Sequence, residues 1–240
     1  MIDIEKIYNI ALDRYNKAYY NVKKTESRTD FAHSALSDVI PGFTANELEF
    51  GSYNQENFAV LFVDIRRSTL RAENVGPENT FLTMHVFLSA MLEVIKQYKG
   101  YVIDLMGDGI MAFWGGKKAR EEHGMTKSFA VQQAGLCGRD MLTVNEKVVN
   151  RIIEEKRLGH KLSIGVGVTY DSVIVTKIGI NSAFDVKAFG DCINKAAKYS
   201  KGENQVKVSK KVKNEWPVGK NGIIRFISAG DGEAYILNSK

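Results

Sequence analysis

At 240 residues, with 44% hydrophobic and 25% charged side chains, the chain has the make-up of a globular protein large enough for a substantial core. Its longest apolar runs are strand-sized and residues 1–21 are rich in charge, which excludes a membrane-spanning segment and a signal peptide and predicts no stable membrane insertion. The formal charge of +5 suits a polyanionic small molecule as well as a lysine-rich surface, and no basic run alternates with aromatics, so nucleic acid is not an expected partner.

Residues 2–24 carry Ile4, Ile7, Tyr8, Leu12, Tyr15 and Tyr19 close to a helical stripe. Residues 30–40 predict a second short helix, stopped by Pro41-Gly42, and 43–57 read as a polar linker. Residues 1–56 are therefore expected to form a helical lead-in that packs on the main domain or on a dimer mate, with 57–240 as the domain that carries chemistry. There the apolar run 58–63 ends on Asp64 and leads into Ile65, Arg66, Arg67, Ser68 and Thr69. Gly76-Pro77 breaks the chain, and a helix is predicted from Asn79 to Lys99, with Gly100 as its C-terminal glycine. Runs 102–106 and 110–114 flank Gly107-Asp108-Gly109, a strong hairpin signal. A long helix over 126–157 follows, then strands at 162–168 and 173–178 joined at Tyr170-Asp171. A helix at 190–199, a strand at 205–208, a short helix at 209–215 and a last antiparallel pair at 223–228 and 234–237 complete the series. This order predicts an α/β (α+β) sandwich, with helices flanking a largely antiparallel sheet.

Asp64 ends one strand and Asp108 tips a hairpin. If those strands are neighbours, two carboxylates lie side by side and repel unless a cation or a proton intervenes. Paired Mg²⁺-type ions between such oxygens recur in phosphoryl and nucleotidyl transfer. Taken singly, each Asp is more simply a turn residue, and Asn194 and Lys198 are solvated helix residues; it is their joint placement that carries weight. His33, His85, His123 and His160 lack ligand spacing, and Phe113 and Trp114 are expected in the core. The lone cysteines Cys137 and Cys192 fit a reducing, cytoplasmic setting.

FVDIRRST, GDGIMAFWG and FGDCINKAAK, in that order and spacing, resemble the class III nucleotidyl cyclase catalytic domain. The resemblance runs from about Asn57 to the C-terminus and implies a fold related to the ferredoxin-like polymerase palm. It also implies a head-to-tail homodimer with active sites at the interface, a nucleoside triphosphate substrate and two divalent metal ions, Mg²⁺ or Mn²⁺. Asp64 and Asp108 match the metal-binding aspartates, and Ile65 would lend its carbonyl to one ion. Arg66, Arg67, Ser68 and Thr69 match the stretch that wraps the triphosphate, Asn194 the asparagine that orients the ribose. Lys198 stands where the family usually has an arginine that stabilises the pentavalent phosphate, and Lys lacks that fork. The lysine that the family places in its final strands has no clear match around residues 228–230.

The two base-reading positions hold Asp104 and Lys187, the reverse of the Lys and Asp pair of adenylate cyclases and unlike the Glu and Cys of guanylate cyclases. With no sensor module attached, the chain looks like the anti-phage pyrimidine cyclases of bacterial Pycsar systems, which make cyclic UMP or cyclic CMP for a separate effector with a cyclic-nucleotide-binding domain. Uracil, with one donor between two acceptors, suits an Asp and Lys pair, so UTP is expected ahead of CTP. An adenylate cyclase with unusual base recognition and a catalytically inactive nucleotide- or partner-binding module are the alternatives.

Overall fold

The computed structural model describes residues 2–23, 40–43, 47–218, 224–230 and 232–239. The first half of the chain runs α1 (Ile4–Lys23), β1 (Tyr53–Ile65), α2 (Ser68–Gln97), β2 (Tyr101–Met106), β3 (Gly109–Gly115), α3 (Gly116–His123), α4 (Lys127–Val144) and α5 (Asn150–Glu155). The second half runs β4 (Ile164–Ile180), β5 (Ala183–Phe189), α6 (Asp191–Tyr199), β6 (Gln205–Ser209), α7 (Lys210–Glu215), β7 (Ile224–Ser228) and β8 (Ala234–Ser239). The strands form one sheet in the order β2-β3-β1-β4-β6-β8-β7, with β5 folded back on β4. Among the described strands only β4 and β6 pair in parallel.

β1 lies at the centre because both of its faces are covered, and residues 58–63 are all buried. Ala59, Leu61, Val63 and Ile65 join a hydrophobic layer with Ile7 and Ala11 of α1, Val86 and Phe87 of α2, and Val131 and Ala134 of α4. Phe58, Val60 and Phe62 point the other way, into a layer with Ile40, Met111, Phe113, Val175, and Cys192 and Ala196 of α6. Asp64 continues this second set at the strand's end. The sheet's polar working edge is thus a continuation of its own alternation.

α6 lies close on β4 because two strand residues lack a side chain. A Cβ at Gly167 would fall 2.0 Å from the Ala196 carbonyl oxygen, and one at Gly165 would fall 2.0 Å from that of Ser200. The expected C-terminal role of Gly100 goes instead to Lys99, which is left-handed at φ 57°. Gly100 makes room for Trp114, since a Cβ there would lie 2.3 Å from the indole. Trp114 is fully buried and its Nε1 donates to the Tyr98 carbonyl at 2.9 Å.

Several expected boundaries move. The predicted strands 162–168 and 173–178 are one strand, β4, because Tyr170-Asp171 pairs straight through with Phe58 and Ala59. The helix expected from Asn79 starts at Ser68 and kinks at Gly76-Pro77, where Thr80 Oγ1 donates to the Gly76 carbonyl at 2.8 Å. The long helix over 126–157 is interrupted by a wide turn at Asn145–Val149. That turn brings the Asn145 and Asn150 amides onto the Leu162 carbonyl at 2.8 and 3.1 Å. The helix expected at 30–40 lies outside the described residues except for Ile40, which bridges to Phe43. Neither α3 nor β5 was expected from the sequence pattern.

Candidate active site

Asp64 pairs across the sheet with Gly109 of β3 and Gly165 of β4, and Asp108 precedes Gly109 in the two-residue turn between β2 and β3. Gly107 takes φ 63° there, a left-handed value that glycine adopts without strain. The two carboxylates are therefore neighbours, one at the end of β1 and one in the turn that leads into β3. Burial, and next the negative charge of Asp108, hold the Asp64 carboxyl above its ordinary pKa, against the pull of Arg66. The Arg66 guanidinium reaches Asp64 Oδ2 at 2.7 Å, while Asp108 Oδ2 is buried with no hydrogen-bond partner among the described residues.

An orphaned carboxylate oxygen beside a second carboxylate suits a hard divalent cation. Among the described residues no third Asp, Glu, His or Cys joins the pair. The remaining donors would be the Ile65 carbonyl and phosphate oxygens, a donor set that fits Mg²⁺ or Mn²⁺.

Arg67 follows in left-handed backbone, at φ 56° and ψ 34°, an uncommon conformation for a side-chain-bearing residue. It turns the chain into α2 so that Ser68 and Thr69 form the first helical turn, whose N–H groups have no partner within the helix. The Arg67 side chain is exposed and comes only within 4.0 Å of Glu203. Arg66, Arg67, Arg71, His160 and Lys161 border a cleft of about 240 Å³ beside this turn. Arg71 had no counterpart in the sequence expectation. It holds the cleft's far wall by donating to the carbonyls of Leu158 at 2.8 Å and His160 at 3.2 Å.

Asp104 and Lys187, far apart in sequence, do meet. Both line a narrow cleft of about 100 Å³ whose apolar walls are Ile40, Ile103, Met111, Val186 and Ala188. Asp185 lines it too, and its Oδ2 lies 2.6 Å from Lys187 Nζ. Asp185 and Ile40 escaped the sequence reading, although Asp185-Val186-Lys187 puts both charges on one face of a strand once the alternation of 183–189 is recognised. Asp64, Asp108, Asn194 and Lys198 are not part of this cleft. Asn194 and Lys198 sit one turn apart on the exposed face of α6, opposite buried Cys192 and Ala196. Their side chains have no partner among the described residues. The chain thus presents a carboxylate edge, a basic cleft, the cleft of Asp104 and Lys187, and a polar face on α6.

Comparison with known proteins identifies the family. The profile of the adenylate and guanylate cyclase catalytic domain matches residues 50–227. An adenylate cyclase of Anabaena cylindrica is 25% identical over 75% of this chain and 34% of its own length. A cytidylate cyclase of Escherichia coli is 28% identical over 61% of this chain and 32% of its own. The chain therefore spans about a third of the curated relatives that it matches. Among solved structures, the adenylyl cyclase CyaB from P. aeruginosa superposes with a TM-score of 0.66 at 18% identity, over 79% of this chain and 97% of that one. The guanylyl cyclase Cya2 does so with a TM-score of 0.61 at 22% identity, over 77% and 91%. With the family profile covering well over half of its length, the chain belongs to the class III nucleotidyl cyclases.

Proposed function

We propose that this chain is a pyrimidine nucleotide cyclase, converting a pyrimidine nucleoside triphosphate to its 3′,5′-cyclic monophosphate and pyrophosphate. The observation that carries the reading is the pairing of Asp104 with Lys187 in one narrow cleft, on a chain that also keeps the Asp64 and Asp108 edge. Asp104 accepts from the base and Lys187 donates to it. The names of two relatives, cytidylate cyclases of Escherichia coli, point the same way.

In the reaction the ribose 3′-oxygen attacks the α-phosphorus and pyrophosphate leaves. Divalent ions held by Asp64, Asp108 and the Ile65 carbonyl would supply activation of the 3′-hydroxyl and charge neutralisation on the leaving group. Arg66, Arg67 and the N–H groups of Ser68 and Thr69 bind the polyphosphate. Asn194 orients the ribose, and Lys198 places a cation against the charge that builds on the α-phosphate. In keeping with the resemblance to the family, Asn194, Lys198 and the base cleft act on a triphosphate held by a second copy. The working unit is a homodimer. Its product would act on a separate cyclic-nucleotide-binding effector, in the manner of an anti-phage second messenger.

The test is incubation of the purified protein with Mn²⁺ or Mg²⁺ and ATP, GTP, CTP or UTP separately, products being resolved by mass. Cyclic CMP or cyclic UMP is expected as the main product. Cyclic AMP would keep the chemistry and overturn the base reading. No cyclic product from a folded dimer would favour a nucleotide-binding module.

A further inference from the structure

We propose that Arg66 is an exchange residue: its guanidinium holds Asp64 until substrate arrives and then passes to the polyphosphate, so that cation binding at Asp64 and phosphate binding in the basic cleft are coupled. The inference rests on the metal and polyphosphate assignments of the proposed function and is independent of its choice of base.

That function asks two things of one pair. Asp64 is to hold a cation and Arg66 a phosphate, yet the two hold each other, with Arg66 Nη1 on Asp64 Oδ2 at 2.7 Å. Their side chains are 24% and 34% exposed, so the pair is shielded enough to be stronger than a surface ion pair and open enough to be exchanged. The other Asp64 oxygen faces β3, where a Cβ on Gly109 would stand 3.6 Å from Oδ1. Arg66 leaves Asp108 unserved, since Asp108 Oδ2 is buried with no hydrogen-bond partner among the described residues. The guanidinium thus satisfies one of the two carboxylates, whereas a divalent ion between them would satisfy both.

A cation taken up by Asp64 would stand beside that guanidinium, and two positive charges there repel. Asp64, Asp108 and the Ile65 carbonyl also supply too few oxygens for an ion that takes about six, and phosphate supplies the rest well. A polyphosphate answers both needs, because it completes the ion's shell and offers Arg66 a second anion. That second seat is close at hand: Arg66 borders the basic cleft together with Arg67, Arg71 and Lys161. Only the side chain has to move. The Arg66 N–H donates to the Ser163 carbonyl at 2.8 Å, and Arg67 turns the chain directly into α2, so the backbone is held on both sides of the exchange. Cation and phosphate then favour each other's binding by the same factor in either direction.

The experiment measures each ligand without the other, on the full chain, with thermal melting to confirm folding. Mn²⁺ binding is followed by the paramagnetic resonance of free Mn²⁺ with no nucleotide present, and binding of inorganic tripolyphosphate by calorimetry in EDTA. Arg66→Gln should bind Mn²⁺ on the order of tenfold more tightly than the intact protein, the effect of one charge-assisted contact no longer competing. Arg67→Gln removes an equal charge whose side chain comes only within 4.0 Å of Glu203, and should change Mn²⁺ affinity by less than about threefold. Asp64→Ala should bind metal-free tripolyphosphate more tightly, and most of that gain should be absent from the double variant Asp64→Ala/Arg66→Gln. Equal Mn²⁺ gains in the two arginine variants, or the same tripolyphosphate gain with and without Arg66, would reduce the effect to net charge and overturn the exchange. If the intact protein, Arg66→Gln and Asp64→Ala all bind Mn²⁺ alike, the metal assignment itself fails and the inference with it. Should Arg66→Gln melt early, Arg66→Met, which keeps the apolar stem, takes its place in both arms.

Discussion

At the scale of single residues, the Asp64 and Asp108 pair is a cost to the fold that a bound cation would offset under the proposed function. Asp64 has a raised pKa in the folded state, from burial first and Asp108 second, so the fold favours its neutral form. Such a carboxylate contributes stability below its unfolded pKa and loses it as pH rises through the folded pKa, so that Asp64, once ionised, opposes folding. Asp108→Asn should therefore raise the melting temperature of the metal-free protein at pH 7 by about 2–4 °C, the shift that ~1 kcal/mol gives in a chain of this size. The gain should shrink as pH falls through the carboxylate range, where Asp64 is protonated. The same variant should lose the melting shift that Mn²⁺ gives the intact protein, and its cyclase activity. An unchanged response to Mn²⁺ would remove Asp108 from the metal site. Lys198 makes the complementary case. Its ammonium is a point charge without the planar fork of Arg, and among the described residues the side chain has no partner that a longer one would break. Lys198→Ala should lower kcat by about 10²-fold with little change in KM, whereas Lys198→Arg should keep most of it, as measured by steady-state kinetics.

At the scale of elements, α6 is positioned by what β4 lacks. Gly165 and Gly167 let the carbonyls of Ser200 and Ala196 come within 2.0 Å of where a Cβ would stand, so the helix bearing Asn194 and Lys198 rests on bare backbone. Gly167→Ala must push α6 outward or bend β4. A destabilisation of about 1–3 kcal/mol is expected in chemical denaturation, with a fall in activity larger than the melting loss explains, because the two residues proposed to act on the substrate move together. This contact was invisible in the sequence, where GVGV reads as an ordinary strand start. The hairpin around Asp108 and the strand ending on Asp64 were legible because turn chemistry and apolar runs are local signals. β5 was not, since AFDVKAF mixes apolar and charged residues on a strand only partly covered, and so the partnership of Asp185 with Lys187 stayed hidden. The continuity of β4 was missed for a related reason. Tyr170-Asp171 resembles a turn until β1 is there to pair with it, and Asp171 is held by Lys211, a residue of α7. The order of the three motifs revealed the family, but only the folded chain shows that Asp104 and Lys187 share a cleft.

At the scale of the whole molecule, the proposed function divides each active site between two copies and so makes assembly a requirement of the chemistry. The described surface offers a place for it: Ile174, Ile178, Ile180, Phe184 and Phe189 are all exposed along the β4 and β5 arm, more apolar surface than a hairpin in water needs to show. No described helix is long and apolar enough to cross a membrane. A second copy of the chain in head-to-tail arrangement would cover it and bring each copy's base cleft and α6 to the other's carboxylate edge. That arrangement makes a quantitative prediction. Asp64→Ala and Asn194→Ala should each be inactive as purified homodimers, since every site lacks one half. Mixed in equal amounts and allowed to exchange subunits, half of the dimers are heterodimers, and each heterodimer has one site with both halves intact and one with both removed. Activity should then return to about a quarter of that of the intact protein at the same total concentration. Recovery near that level would show that each active site takes residues from both copies. No recovery, with subunit exchange verified by a mass or fluorescence tag, would mean that Asp64 and Asn194 serve the same site from the same chain, and the half-site arrangement would have to be abandoned.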